Sequence, residues 1–384
     1  FGITSSVEPL DFSKIQDKKN RTTDLLSKGI GKLLESYSIA VVEGSASFTG
    51  QEEVEIKTSS QGILKTKSKK IIIATGSLPK SIPNLTVDHN KFLDSTDILN
   101  LKEAPKSLLV IGGGAIGIEL ASILSAFGTE VEIVEKEKQL LPGEDSELAE
   151  EARKILLRQG IKVNTGVESV DEFVKKADKI LVAVGRKPNI DSLNLDAAKV
   201  QHSPRGIEVN THFETSQAGI YACGDAVGNG YFAYTAQAEA VIAAENALGK
   251  HTASVNPSIP RVVFSNPVIA SVGAGETHRS ANTIATGRFP MTANSKAFIL
   301  GERQGWIKIV VNKDTDRILA GYIVGPDAEN MISIIALAIN KKLTAKDLLR
   351  ESFFHPSIAE AIHGACEDVS SMSVDLPRKP PKAT

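Results

Sequence analysis

A chain of 384 residues that is 41% apolar can bury the cores of roughly two or three ordinary domains. A formal net charge of -2 gives no sign of a polybasic nucleic-acid or membrane surface, and no apolar run reaches the length of a membrane span. The two cysteines, Cys223 and Cys366, stand far apart and in no metal-ligand spacing, which excludes a disulfide scaffold and suits a reducing compartment.

The chain opens FGITSSVEPLDFSKIQ, which carries no signal-peptide pattern and reads as the middle of a protein. Residues 11–36 hold Ile15, Leu25, Leu26, Ile30, Leu33 and Leu34 at turn spacing among charged residues, which predicts a helix. Ser38 to Glu43 reads as a strand, GSASFTG as a turn region around a buried Phe48, and Glu53–Lys57 with Gly62–Lys67 as a hairpin. Ile71 to Ile73 reads as a buried strand followed at once by Ala74, Thr75 and Gly76. Small residues there permit close approach of a ligand, or simply mark the strand exit. Pro79 to Pro105 is a connector containing STDILNL, with helix-cap character at Ser95 or Thr96, and a domain boundary is expected near 100–107.

The stretch LLVIGGGAIGIELASILSAFGTEVEIVE, from Leu108 to Glu135, carries the most information. An apolar strand runs into Gly112, Gly114 and Gly117 at the offsets of G-x-G-x-x-G. The first glycine allows a sharp turn, the second admits a pyrophosphate to the backbone, and the third lets helix pack on strand. Ala115 and Ile116 open the helix whose free amides would hold the phosphates. The helix stops at Gly128, Val131 to Val134 forms the next strand, and Glu135 closes it where a carboxylate takes ribose hydroxyls. That acid argues for NAD, since a 2'-phosphate would be repelled.

A second helix over Ser146–Gln159 turns Leu148, Ala152, Ile155 and Leu156 to one face, IKVNTG is a strand, and Ile180–Val184 is a buried strand. Gly185 and Arg186 follow in a Gly-Arg-x-Pro loop, where Arg186 meets either a ligand or a surface acid. Residues 206–218 read as irregular and polar. Ile220–Ala222 then leads to Gly224 and Asp225, ahead of an alanine-rich helix over Tyr234–Leu248. Asp225 caps that helix or accepts hydroxyls of a bound polyol, while Cys223 reads as a buried small residue. From 261 to 323 the short strands RVVF, VIASVG, KAFILG, WIKIVV and RILAGYIVG, then helices at 327–340 and 345–350, make an α+β domain, with Trp306 as packing. In ESFFHPSIAEAIHGACED, Pro356 would start a helix and Glu360 would reach back to orient His355 as a base, or the pair is a cap with a surface His; His363 reads as structural.

With ATG at 74–76, GGGAIGIE at 112–119, GIYACGDA at 219–226 and HPSIAE at 355–360, the chain resembles the pyridine nucleotide-disulfide oxidoreductases. Within them it resembles the dihydrolipoamide dehydrogenase branch, over nearly all of residues 1–370. The resemblance implies an α/β reductase fold with two dinucleotide-binding domains, the first incomplete, and a C-terminal α+β dimerisation domain. It implies a partial FAD-binding domain at 1–104, an NAD-binding domain at 105–190, a return to the FAD-binding domain at 191–255, dimerisation at 256–370 and a tail at 371–384. Gly112, Gly114, Gly117 and Glu135 match the NAD fingerprint, and Glu119 an acid beside the nicotinamide pocket. Gly185 and Arg186 match a loop that closes over NAD, and Gly224 and Asp225 the second FAD motif, with Asp225 on the ribitol. His355 and Glu360 match the acid-base dyad, which serves the disulfide of the other subunit of a homodimer.

The implied reaction is NAD-linked oxidation of dihydrolipoamide through FAD and a redox disulfide. The substrate is expected free or on a lipoyl domain of a 2-oxoacid dehydrogenase or glycine cleavage complex, in a bacterial cytoplasm or a mitochondrial or plastid matrix. NADP-linked relatives carry basic residues where this chain has Glu135, Lys136 and Glu137. Three departures stand against the family pattern. The segment with the first FAD fingerprint and the paired cysteines is lacking, and residues 168–178 and 276–288 are short. Gaps at exposed loops are accounted for equally by residues missing from the sequence or by a deletion in the gene. Two alternatives follow: a related NADH-dependent disulfide or metal-ion reductase, and a non-catalytic nucleotide-binding and dimerisation remnant.

Overall fold

The structure is a computed structural model that describes residues 11–60, 62–82, 85–253, 258–273 and 282–377. Part of the short 276–288 region and half of the 371–384 tail therefore lie outside the described residues. The chain divides into two compact units.

The first unit carries the described residues of 1–82, 100–103 and 185–255. The helix Phe12–Ser36 is capped by Asp11, which accepts from the Ser13 and Lys14 amides. Its periodic apolar face is left uncovered among the described residues, with Leu25, Leu26 and Ile30 all exposed. Ser38–Glu43 forms no strand, because no described strand lies beside it to take its backbone bonds. The strand comes later, as Ser45–Phe48, inside the stretch expected to turn; Phe48 is buried as expected. It adds a third strand to the hairpin of Glu53–Thr58 and Gly62–Lys67.

Ile71–Ile73 pairs in parallel with Ile220–Ala222, and only its last residue is buried. The Gly-Arg-x-Pro segment is no loop: Arg186–Pro188 pairs antiparallel with Ser77–Pro79. Of the polar stretch 206–218, Gly206–Ile207 pairs with His202–Ser203, and the rest is irregular apart from isolated bridges of Val209 to Thr215 and Glu214 to Tyr221. The alanine-rich helix runs Ala233–Ala247. Phe48, Ile73, Leu195, Ile220 and Ala226 belong to one core cluster.

The second unit carries the described residues of 83–99, 104–184 and 256–384. Its parallel sheet runs in the order Phe92–Leu93, Lys179–Val182, Ser107–Ile111, Glu130–Glu135, Lys162–Thr165. Parallel strands need crossovers, and the helices Ala115–Ala126 and Ser146–Arg158 supply them. The second helix buries Leu148, Ala152, Ile155 and Leu156, the face its spacing predicts. The short helix Ser95–Leu99 is capped one residue earlier than expected, by Asp94, whose carboxylate accepts from the Thr96 and Asp97 amides.

The C-terminal part is an antiparallel sheet ordered Arg261–Val263, Val268–Gly273, Ile318–Gly325, Trp306–Asn312, Ile284–Pro290. The segment KAFILG is helical, not a strand. Asn294 caps Ser295–Leu300 by accepting from Ala297 N, and Gly301 ends it in the left-handed region. The strand in its place is Ile284–Pro290, which the sequence reading missed. One sheet face, through Ile307, Ile309 and Ile323, packs with Ile332 and Ile335 of helix Ala328–Asn340 and Ile362 of helix Glu360–Val369.

The other face holds Trp306, Lys308 and Tyr322, also buried. Lys308 Nζ lies 3.0 Å from both carboxylate oxygens of buried Asp145, the cap of helix Ser146–Arg158. Arg288 covers the Trp306 ring, 4.5 Å from its centroid, and pairs with Glu147, while Arg261 pairs with Glu144. Both faces being covered, the strand loses the polar alternation of a one-sided sheet.

Candidate functional site

In the second unit the glycine triplet forms the turn its spacing predicts. Gly112 lies at φ +113, and a Cβ on it would stand 2.4 Å from Ala183 O. A Cβ on Gly117 would stand 2.1 Å from Gly112 O, so helix and strand approach as closely as backbone allows. Gly114 differs: a Cβ there meets nothing within 4 Å. The backbone at the start of helix Ala115–Ala126 therefore faces open space. The Ala115, Ile116 and Gly117 amides belong to the first turn, which has no intrahelical acceptors. Open space beside such amides fits a pyrophosphate.

Glu135 is buried and accepts from Gly113 N at 2.6 Å and Glu137 N at 2.8 Å. Two amides leave lone pairs of the carboxylate for a ribose diol. Glu119, on the same helix, accepts from Phe264 N at 2.9 Å, and burial pushes its carboxyl above the ordinary range.

In the first unit Ala74 and Thr75 are exposed just past the strand Ile71–Ile73. Asn189 holds that turn, its amide donating to Gly76 O at 2.9 Å and its side chain to Thr75 O at 3.2 Å. Gly185 O accepts from Lys80 N, which extends the pairing of Arg186–Pro188 with Ser77–Pro79 by one bond. Asp225 does not cap the following helix, whose N-cap is Phe232 without a side-chain bond. Its Oδ2 instead accepts from Ser77 Oγ at 2.5 Å. Arg186 donates to Ser77 Oγ at 2.7 Å and to Ser77 O at 2.8 Å. Asp225 Oδ1 has no partner among the described residues, which fits a polyol hydroxyl.

Gly224 N donates to Glu239 Oε2 at 2.7 Å. Glu239 is buried, and burial raises its carboxyl pKa. Ser77 and Glu239 escaped the sequence reading, since neither lies in a spaced motif. Cys223 is buried as expected, and its thiol is pushed up by burial; that of Cys366 is pushed up to about 12.

The second unit also holds the HPSIAE segment. His355 Nδ1 lies 3.0 Å from Glu360 Oε1, and Glu360 Oε2 accepts from Ser357 N at 2.8 Å. An ionised carboxylate only accepts, so Nδ1 carries the proton and Nε2 of the neutral ring has the lone pair. The His355 side chain is 70% exposed, so Nε2 is open to a substrate. Pro356 does not start the helix, which begins at Glu360. His363 Nδ1 lies 3.5 Å from Glu367 Oε1, and its Nε2 lies 3.3 Å from Leu349 O.

A family model described as pyridine nucleotide-disulphide oxidoreductase matches residues 3–240, and the dimerisation domain of the same family matches residues 259–366. A dihydrolipoyl dehydrogenase of Bacillus subtilis (strain 168) is 34% identical, over 95% of this chain and 83% of its own. The mitochondrial dihydrolipoyl dehydrogenase of Pisum sativum is 33% identical, over 95% of this chain and 77% of its own. Among solved structures, the Cu(II) complex of the HOCl-induced flavoprotein disulfide reductase RclA from Escherichia coli superposes with a TM-score of 0.86. It is 27% identical and covers 93% of this chain and 85% of its own.

Proposed function

The chain belongs to the pyridine nucleotide-disulphide oxidoreductases, and from that membership we propose that its substrate is dihydrolipoamide, oxidised to lipoamide at the expense of NAD. Membership makes it a flavin- and NAD(H)-linked oxidoreductase type that dimerises through its C-terminal domain. The observation that carries the substrate reading is the His355–Glu360 pair at 3.0 Å, with the open imidazole nitrogen that a thiol substrate needs. When bound, FAD supplies an electron-pair acceptor between a dithiol and NAD.

The chain's own residues do the placing. Gly112, Gly114 and Gly117 with the amides of Ala115 and Ile116 hold the NAD pyrophosphate, and Glu135 holds its adenosine ribose. Glu119 borders the nicotinamide end, and Gly185 with Arg186 is the segment that the family pattern gives to NAD. Ala74, Thr75 and Gly76 border the flavin nucleotide, and Gly224 with Asp225 holds its ribitol. His355 Nε2 takes the thiol proton while Glu360 keeps the ring turned. The domains are assigned as 1–104 and 191–255 for FAD, 105–190 for NAD and 256–370 for dimerisation. The dithiol is offered free or on a lipoyl domain, in a bacterial cytoplasm or an organellar matrix. No helix among the described residues is long and apolar enough to cross a membrane.

In the family's reaction a redox disulfide takes the dithiol's electrons, and Cys223 and Cys366 are the only cysteines of the 384 residues. Both are buried, and both thiols are held above their ordinary range. A second reading of these 384 residues is nucleotide binding and dimerisation without dithiol turnover. The likeness to a flavoprotein disulfide reductase supports a third, reduction of another disulfide or of a metal ion.

One set of assays separates them: flavin absorbance of the purified protein, NAD titration, and NADH-driven turnover with lipoamide against glutathione disulfide. Yellow protein with lipoamide turnover supports the first reading. Colourless protein that binds NAD without turnover supports the second. Turnover confined to glutathione disulfide or a metal ion sinks the dihydrolipoamide assignment.

A further inference from the structure

Three side chains from separate segments of the first unit form one chain of hydrogen bonds: Arg186 to Ser77 to Asp225. Its direction is fixed by chemistry. A guanidinium can only donate and an ionised carboxylate can only accept, so a group between them must do both. A serine hydroxyl has one proton and two lone pairs. Ser77 Oγ takes the Arg186 Nε proton as a bond at 2.7 Å and gives its own to Asp225 Oδ2 at 2.5 Å. The charge of Asp225 is thereby balanced through a neutral relay and not by direct contact.

The consequence lies on the other carboxylate oxygen. With Oδ2 engaged, the carboxylate cannot turn freely, and Oδ1 is left without a partner among the described residues. The backbone is held as well. Gly224, immediately before Asp225, lies at φ +68 and its amide is tied to buried Glu239. A half-buried carboxylate fixed at its backbone and at one oxygen presents the remaining oxygen in one place. We propose that Ser77 is a positioning residue for the flavin: its hydroxyl locks Asp225 so that Oδ1 stands ready for a ribityl hydroxyl. This rests on the assignment of Asp225 to the flavin made above.

The test compares wild-type protein with Ser77→Ala and Ser77→Thr, stripped of flavin, by FAD titration followed as fluorescence quenching. Ser77→Ala should raise the FAD Kd by about tenfold or more, the loss expected when a bond to a charged group goes. Ser77→Thr keeps the hydroxyl and suits a strand, so its Kd should stay within about threefold of wild type. NAD affinity is the internal control. Arg186 keeps its 2.8 Å bond to the carbonyl of residue 77 in either variant, so the NAD Kd should hold within about twofold.

An Ala variant that binds FAD as tightly as wild type overturns the proposal. So does a Thr variant as weak as the Ala variant, because packing and not the hydroxyl would then be at work. Should Ser77→Ala lose its circular dichroism, Ser77→Thr decides alone: retained affinity supports the relay and a tenfold loss overturns it. Wild-type protein that binds NAD but no FAD refutes the flavin assignment itself, and the role of Ser77 with it.

Discussion

Glu239 is held up by burial, with Asp225 adding to the effect, against bonds from Gly224 and Asn229 that pull the other way. For an acid whose folded pKa is raised, the native state holds the proton more tightly than the unfolded chain. Stability is then greatest at low pH with respect to this group and falls as pH rises from the ordinary value of 4.5 toward the folded value; beyond that it is flat. Glu239→Gln keeps an oxygen for the Gly224 amide and removes the titration. Urea midpoints taken across that window should therefore decline less in the variant, and equal slopes would show that Glu239 is not the group responsible. The cysteines make a second case at this scale. With Cys366 pushed to about 12 and Cys223 also raised, neither should react with a thiol reagent at pH 8 until denaturant is added. Single residues such as Ser77 and Glu239 were illegible in the sequence for a plain reason. The partner of Ser77 lies 148 positions away, and no local spacing encodes a pair that only the fold brings together.

The glycine turn separates two effects that a sequence motif merges. Gly114 has φ -79 and open space around it, so Gly114→Ala should fold normally. Its methyl enters the space assigned to phosphate and should raise the NAD Kd by about tenfold, read by titration. Gly117→Ala drives a methyl against Gly112 O at 2.1 Å and should cost about 1–3 kcal/mol of stability by urea unfolding. Equal stability in the two variants would contradict this division. The buried ion pair between Lys308 and Asp145 offers a further contrast. Lys308→Met leaves a buried carboxylate unpaired and should cost about 3–5 kcal/mol. Adding Asp145→Asn keeps an N-cap acceptor, removes the charge, and should recover most of that loss. Element types were legible where periodicity was long, as in Ser146–Arg158. They were misread in short apolar runs such as KAFILG, where the Asn294 cap and the left-handed Gly301 outweigh residue preference.

At the scale of the molecule, the C-terminal sheet and its helices belong to a dimerisation domain. Light scattering should give twice the chain mass at micromolar concentration, and a monomer at that concentration would contradict the family assignment of this domain. The His355–Glu360 pair sits in that part of the chain, with its imidazole turned outward. His355→Gln should leave dimer mass and NAD affinity unchanged while slowing dithiol oxidation by about 10²–10⁴-fold where turnover is present. Loss of NAD binding in that variant would point to a structural role.

The residues read as a string already specify the glycine turn, Glu135 at the end of the next strand, the mixed C-terminal domain and the His355–Glu360 contact. The turn and the His355–Glu360 contact are written in residues a few positions apart, where backbone geometry sets the distances, and the other two follow from the order of short local patterns. Folding alone brings Asp225 to Ser77 and Arg186 and not to a helix end, sets Arg186 on a strand, and buries Lys308 on a carboxylate. Those outcomes depend on which distant segments share a sheet edge, and packing of the whole chain, not local preference, settles that.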